Sequence, residues 1–158
     1  MNASIAAPAS PPTLLHPLFE RLVRETGASV LDAATFDAWA ELPGTSMIVF
    51  AEDPERFKEG LDLAVVVPEL HAMRERSFRV ALLLPAASRA LASRYGFARW
   101  PAFVMLRDGK YLGAVDGIRD WDVYVGELDR LLASLPSRPP GVGIPVHLAG
   151  QPAAPSCH

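Results

Sequence analysis

Three groups of residues in this 158-residue chain are of types that could do chemistry. The first is acidic. Glu52 to Asp62 reads EDPERFKEGLD, with five carboxylates (Glu52, Asp53, Glu55, Glu59, Asp62) against two cations (Arg56, Lys58), a local charge of −3. Such a run could receive a basic peptide by charge complementarity. Carboxylates near helix starts are also expected on dipole grounds, and Asp53 and Asp62 could be plain N-caps. The second group is Trp100-Pro101, which opens an apolar run; its plain reading is a strand-initiating proline beside a buried indole. The third is sulfur, and there is one cysteine, Cys157, followed by His158. Dithiol–disulfide exchange needs an attacking thiolate and a resolving partner beside it, so one cysteine leaves that chemistry without its reagent. Neither Cys157-His158 nor His16, His71 and His147 has metal-ligand spacing, and zinc takes four ligands. The chain has no nucleophile elbow and no phosphate-binding glycine loop. These residues point to binding without catalysis, metal or cofactor.

Half the residues are hydrophobic and 21% are charged, enough apolar material for one packed core in a chain of this length. The net charge of −3 and a pI near 5.8 give no reason to expect nucleic acid as a partner. No apolar run approaches the roughly 20 residues that cross a bilayer. The first basic residue is Arg21, and Pro8, Pro11 and Pro12 interrupt the start, unlike a secretory signal. A soluble, cytoplasmic protein is expected, without stable membrane insertion.

The elements that must position the acidic run and Trp100-Pro101 follow from periodicity. Residues 1–12 form an Ala/Pro/Ser-rich tail expected to be disordered, 13–135 the domain, and 136–158 a Pro/Gly-rich tail. Leu15, Leu18, Phe19, Leu22 and Val23 share one helical face, with Pro17 in the first turn and Gly27 as terminator. Ser29 to Leu31 reads as an edge strand. Thr35 then caps a short helix that buries Phe36, Trp39 and Ala40. Met47 to Phe50 is a continuous apolar run, as in a strand covered on both faces. After the acidic loop, Leu63, Val66, Val67, Leu70 and Met73 predict a helix to about Arg76 despite Pro68. Phe78 to Leu84 is a second buried strand, and Ser88 to Tyr95 a helix stopped by Gly96. Asp108-Gly109 predicts a tight hairpin between Ala102–Leu106 and Tyr111–Val115, because both turn residues tolerate positive φ. Asp120 opens an amphipathic helix with a stripe of Trp121, Tyr124, Val125, Leu128, Leu131, Leu132 and Leu135.

The segment YGFARWPAFVMLRDGKYLGAVDG, Tyr95 to Gly117, resembles the C-terminal half of a thioredoxin domain. The whole order, β-α-β-α-β-α-β-β-α with an extra helix in front, is similar to that fold. The resemblance implies an α/β, three-layer α/β/α sandwich with a mixed central sheet. It further implies a cis Trp100-Pro101 bond whose preceding backbone can pair with an extended peptide, beside a loop around Gly60 to Leu63 where thioredoxins carry their redox motif. That motif falls on Gly60-Leu61-Asp62-Leu63, with no sulfur at either end. The positions of the assisting buried acid and lysine fall on Val49 and Leu82, both apolar. The fold is expected without its redox activity.

From about residue 15 to 146 the chain resembles the HyaE/HupG family of hydrogenase expression proteins. The residues that carry this are Phe50-Ala51-Glu52-Asp53-Pro54 and Leu61-Asp62-Leu63-Ala64-Val65-Val66-Val67-Pro68-Glu69-Leu70. Trp100-Pro101, Arg107-Asp108-Gly109 and Gly117-Ile118-Arg119-Asp120-Trp121 add to it. The resemblance implies a dedicated chaperone in maturation of membrane-bound nickel–iron hydrogenase. Its client would be the small-subunit precursor with a twin-arginine signal peptide, and other hydrogenase accessory proteins could join it. Glu52, Asp53, Glu59, Asp62, Trp100 and Pro101 are the expected peptide-binding residues. Three other readings stay open on the residues alone: an adaptor with an unrelated client, a structural subunit docked through its first helix, and a redox enzyme using Cys157 with a partner's thiol.

Overall fold

The expected strands and helices form in the expected order in the computed structural model, which describes residues 15–140. The chain begins with α1 (Pro17–Thr26), β1 (Ser29–Leu31), α2 (Ala33–Ala40) and β2 (Thr45–Phe50). It continues through α3 (Gly60–Met73), β3 (Arg79–Leu83) and α4 (Pro85–Tyr95). β4 (Ala102–Arg107), β5 (Lys110–Asp116) and α5 (Trp121–Leu132) complete it. The strands form one mixed sheet in the order β1-β3-β2-β4-β5. β3 pairs in parallel with β1 and β2, whereas β4 runs antiparallel to both β2 and β5. The central β2 is therefore covered on both faces, which is why Met47 to Phe50 is apolar without alternation.

Each face of the sheet carries its own core. Phe19 and Leu22 of α1, Leu63, Val67 and Leu70 of α3, and Tyr124, Leu128 and Leu131 of α5 cover Met47, Val49, Leu82, Phe103 and Met105. On the other face Phe36 of α2 and Leu91 and Tyr95 of α4 cover Ile48, Phe50, Leu83, Val104 and Leu106. α1 packs along α3, outside the elements a minimal thioredoxin fold needs. Burying a side chain such as Leu22 or Phe36 stabilises by about 1.5–3 kcal/mol relative to leaving it in water.

Local chemistry sets the boundaries, and in several places it moves them from the expected positions. α1 ends at Gly27, which is left-handed at φ 71, as anticipated. The cap of α2 is Asp32 and not Thr35. Asp32 accepts from the Thr35 N–H at 2.9 Å, and the Thr35 hydroxyl takes the Asp32 N–H in return, a reciprocal capping box. α3 stops at Met73, short of Arg76, because Glu75 and Arg76 are both left-handed at φ 56. α4 starts three residues earlier than Ser88, since Pro85 fits the first helical turn. Ser88 is buried, and its hydroxyl accepts from the Ala51 N–H at 3.2 Å. The Asp120 side chain makes no capping bond, and at the two ends of the α5 stripe Trp121 and Leu135 are exposed. Asp108 and Gly109 both have positive φ, and the hairpin they close holds β4 against β5. Beyond Pro136 the Ser137 N–H donates to the Tyr111 carbonyl at 2.8 Å. The expected tail at 1–12, and Cys157, His158 and His147, lie outside the described residues.

Candidate functional site

The site is assembled where β2 ends, α3 begins and β4 is entered. Phe50 closes β2, and Glu52 to Glu59 then leave the sheet. Asp53 organises this loop locally: its carbonyl accepts from the Arg56 and Phe57 N–H groups and its carboxylate from Glu55 N–H at 3.0 Å. Gly60 starts α3 in a buried position, where a Cβ would meet the Cβ of Ala51 at 3.2 Å. Facing this turn is Trp100-Pro101, whose peptide bond is cis. A pocket of about 230 Å³ lies between them, lined by Glu52, Phe57, Glu59, Gly60, Trp100 and Pro101.

Trp100 is held from one side. Phe50, Phe97 and Trp100 stand edge-to-face in series, with ring centroids 5.0 and 5.2 Å apart, tying the indole to the core while leaving it 37% exposed. The plain expectation of a buried indole therefore fails: Trp100 packs on Phe97, stays partly exposed and lines the pocket. Asp116 at the end of β5 fixes the approach, accepting from the Ala98 and Arg99 N–H groups at 2.8 and 3.0 Å. On the far side Gly117 N–H donates to the Pro101 carbonyl at 2.8 Å. The buried Tyr124 of α5 donates its hydroxyl to the Gly117 carbonyl and accepts from Arg119 N–H; burial pushes this phenol's pKa up. Among the described residues, the N–H and C=O of Trp100 itself have no hydrogen-bond partner. Backbone groups without a partner, held in place in this way, can pair with an extended chain.

Four of the six expected site residues come together here: Glu52, Glu59, Trp100 and Pro101. Asp53 and Asp62 do not line the pocket. Asp53 instead lines a neighbouring cleft of about 430 Å³ that shares Glu52 and is floored by Leu15, Phe19, Leu82 and Leu83. Asp62 lies in the first turn of α3, where a carboxylate faces the positive end of the helix dipole. Glu52 is not a free charge either. Arg89 of α4 donates to it at 2.6 Å, which lowers the net negative charge the loop presents. Two contributors were missed in the sequence. Phe57, 46% exposed, is an aromatic within the acidic run, a signal that could have been read. Arg89 is one of several helix-surface arginines, and nothing in its spacing assigns it to Glu52.

The positions that matched a redox motif are apolar in space as well. Gly60 and Leu63 are buried in the first turn of α3. Val49 and Leu82 are register partners across β2 and β3, both within the core. Among the described residues, no group of three or more His, Cys, Asp or Glu side chains is placed to hold a metal ion, and no helix is long and apolar enough to cross a membrane.

Comparison with known proteins matches residues 18–124 to the family model described as hydrogenase-1 expression protein HyaE. The hydrogenase expression/formation protein HoxO of Cupriavidus necator is 40% identical over 159 aligned residues, covering 99% of this chain and 98% of that protein. HoxO of Azotobacter vinelandii is 37% identical, covering 91% of this chain and 95% of its own. The hydrogenase expression/formation protein HupG of Bradyrhizobium diazoefficiens is 36% identical over 67% of this chain and 74% of its own. In structure, a point-mutant thioredoxin from Halobacterium salinarum superposes with a TM-score of 0.54 at 22% identity, covering 69% of this chain and 94% of that one. That likeness establishes the fold alone.

Proposed function

The chain belongs to the HyaE family of hydrogenase expression proteins, and from that premise we propose that it is a non-redox, thioredoxin-like chaperone in nickel–iron hydrogenase maturation. Its client in this reading is the small-subunit precursor, held by its twin-arginine signal peptide. The observation that carries the site assignment is the unpaired peptide group of Trp100, at the edge of a pocket that also contains Glu52, Glu59 and the exposed ring of Phe57. An extended segment can pair its backbone with Trp100 while its cations face Glu59 and Glu52. The apolar stretch that follows the arginines then has the neighbouring cleft over Leu15, Phe19, Leu82 and Leu83 within reach.

Exposed charge pairs contribute only about 0.2–1 kcal/mol each, so the carboxylates mainly steer association, and affinity comes from backbone pairing and apolar contact. Calorimetry of the full chain with the precursor, with and without its signal segment, tests this directly. Removal of the segment should abolish most of the heat. Glu59→Lys should slow association most at low salt, and Trp100→Ala should weaken binding at every ionic strength. Unchanged affinity for a precursor lacking the segment would place the client surface elsewhere. In the same reading, insulin reduction by dithiothreitol proceeds no faster with the protein than without it. A rate that rises, and falls again in Cys157→Ser, would return the chain to redox chemistry.

A further inference from the structure

At the opposite end of the sheet from Trp100, where β1 and β3 begin, lies a cleft of about 310 Å³ that the client reading does not use. Arg76, Arg79 and His71 line it, together with Ser29, Trp39 and Thr26, whose hydroxyl already donates to the Leu22 carbonyl; no carboxylate is among its lining residues. We propose that this cleft is a binding site for a small oxyanion, presented as a phosphate or a carboxylate group.

Three features of the cleft support the assignment. The first is unsatisfied cationic chemistry. The Arg79 guanidinium lies over the Trp39 ring at 4.6 Å and donates one bond, from Nη2 to the Leu42 carbonyl at 3.2 Å. Its Nε and Nη1 are buried without a hydrogen-bond partner among the described residues. Buried guanidinium nitrogens normally carry partners, because an unpaired charged donor out of water is costly. The second feature is an absence of internal counter-charge. Arg21, Arg74 and Arg89 each meet a carboxylate within 3 Å, whereas among the described residues neither Arg76 nor Arg79 forms an ion pair.

The third feature is backbone strain under one of the cations. Glu75 and Arg76 are successive left-handed residues at φ 56, a conformation that glycine adopts freely and side chains with a Cβ resist. The turn is pinned by Arg76 N–H to the His71 carbonyl at 2.9 Å and by Arg76 Nη2 to the Glu25 carbonyl at 3.0 Å, which brings the guanidinium over the end of α1. Strain of this kind points to a role for the side chain that the turn alone does not require.

Among the neutral groups Ser29 adds a donor, whereas neutral His71 does not. Ser29 Oγ accepts from the Trp39 indole N–H at 3.1 Å, so its own O–H remains available to donate. His71 Nε2 lies 2.9 Å from the Phe78 carbonyl; a carbonyl only accepts, so Nε2 carries the proton and a neutral ring keeps its lone pair on Nδ1. Guanidinium and hydroxyl donors around one oxyanion form the charge-assisted set that such groups favour.

The test titrates the full-length protein with inorganic phosphate, with acetate, and with chloride at matched ionic strength. It follows the Trp39 indole N–H and the His71 ring protons by NMR. Saturable shifts in the millimolar range with phosphate or acetate, and none with chloride, are expected; whichever anion saturates identifies the group that binds. Arg76→Gly separates a binding role from a structural one. It relieves the left-handed strain but also loses the bond to the Glu25 carbonyl, opposed effects that should leave melting nearly unchanged while oxyanion affinity falls about tenfold or more. Arg79→Met, which keeps an apolar stem over Trp39, should lower affinity by a similar factor. Shifts that stay linear and follow chloride would overturn the proposal, as would saturable binding undiminished in both variants. Neither result bears on the client groove, which is tested by the precursor itself.

Discussion

His71 is the buried residue whose charge state should be visible in solution. It is 4% exposed, and burial lowers its pKa from the ordinary value near 6.5, with Arg76 adding in the same direction against the Phe78 hydrogen bond. The folded state thus prefers the neutral ring, and below the ordinary value the unfolded chain binds more protons than the folded one. Stability from this group is complete above about pH 6.5 and is lost as pH falls toward the depressed folded value. Thermal melting followed from about pH 7 down to about pH 5 should therefore show a falling midpoint. His71→Gln keeps a donor for the Phe78 carbonyl and should flatten that slope. An identical slope in the variant would assign the acid sensitivity to carboxylates. Glu52 shows the complementary point: an acid read as free charge is paired with Arg89, because a helix distant in sequence supplies the cation.

Helix α1 and the pairing of α5 with β5 are the elements whose packing supports the site. Phe19 and Leu22 enter the same core as α3, and Leu15, His16, Pro17 and Phe19 also wall the larger cleft. α1 is thereby part of the domain's core and not an appendage. Leu22→Ala should cost about 2–5 kcal/mol in denaturant unfolding, the range of a truncation that leaves a core cavity. A cost near zero would mean that α1 is detachable. On the other side of this core, Gly113 of β5 leaves room for Leu131 of α5: a Cβ there would collide with Leu131 Cδ2. Gly113→Ala should destabilise by about 1–3 kcal/mol through overpacking. Because α5 also carries the Tyr124 bond to Gly117, the same substitution should weaken client binding at the loop beside Pro101. Equal losses of stability with unaltered binding would separate the two.

At the scale of the whole molecule, the sheet puts two differently charged regions at its two ends. One carries the carboxylates Glu52, Asp53, Glu55 and Glu59 with exposed aromatic surface; the other carries Arg76, Arg79 and His71. A net charge of −3 conceals this separation. Client binding and oxyanion binding should therefore be independent. Affinity for the precursor measured in saturating phosphate should match that in chloride at equal ionic strength. A difference greater than about threefold, or roughly 0.7 kcal/mol, would show coupling between the ends.

Local sequence determined the parts of this protein whose physics is local. The apolar runs of β2, β3 and β4, the Asp108-Gly109 turn, Gly27 and Gly96 as left-handed stops and the face of α1 were all legible, because periodicity and φ preference act within a few residues. That Gly60 and Leu63 carry no sulfur was legible as well, since an absent side chain needs no tertiary context. Competition between nearby caps was not: Asp32 and Thr35 both suit the start of α2, and only the reciprocal geometry assigns their roles. The composition of the site was decided by the tertiary structure. Glu52, Glu59 and Trp100 share a pocket because β2 and β4 are antiparallel neighbours, while Asp53 and Asp62, close in sequence to residues that face it, turn away. The basic cleft was invisible in the chain for the same reason. Thr26, Trp39 and the segment from His71 to Arg79 are apart in sequence, and the parallel pairing of β1 with β3 and the close of α1 bring them together.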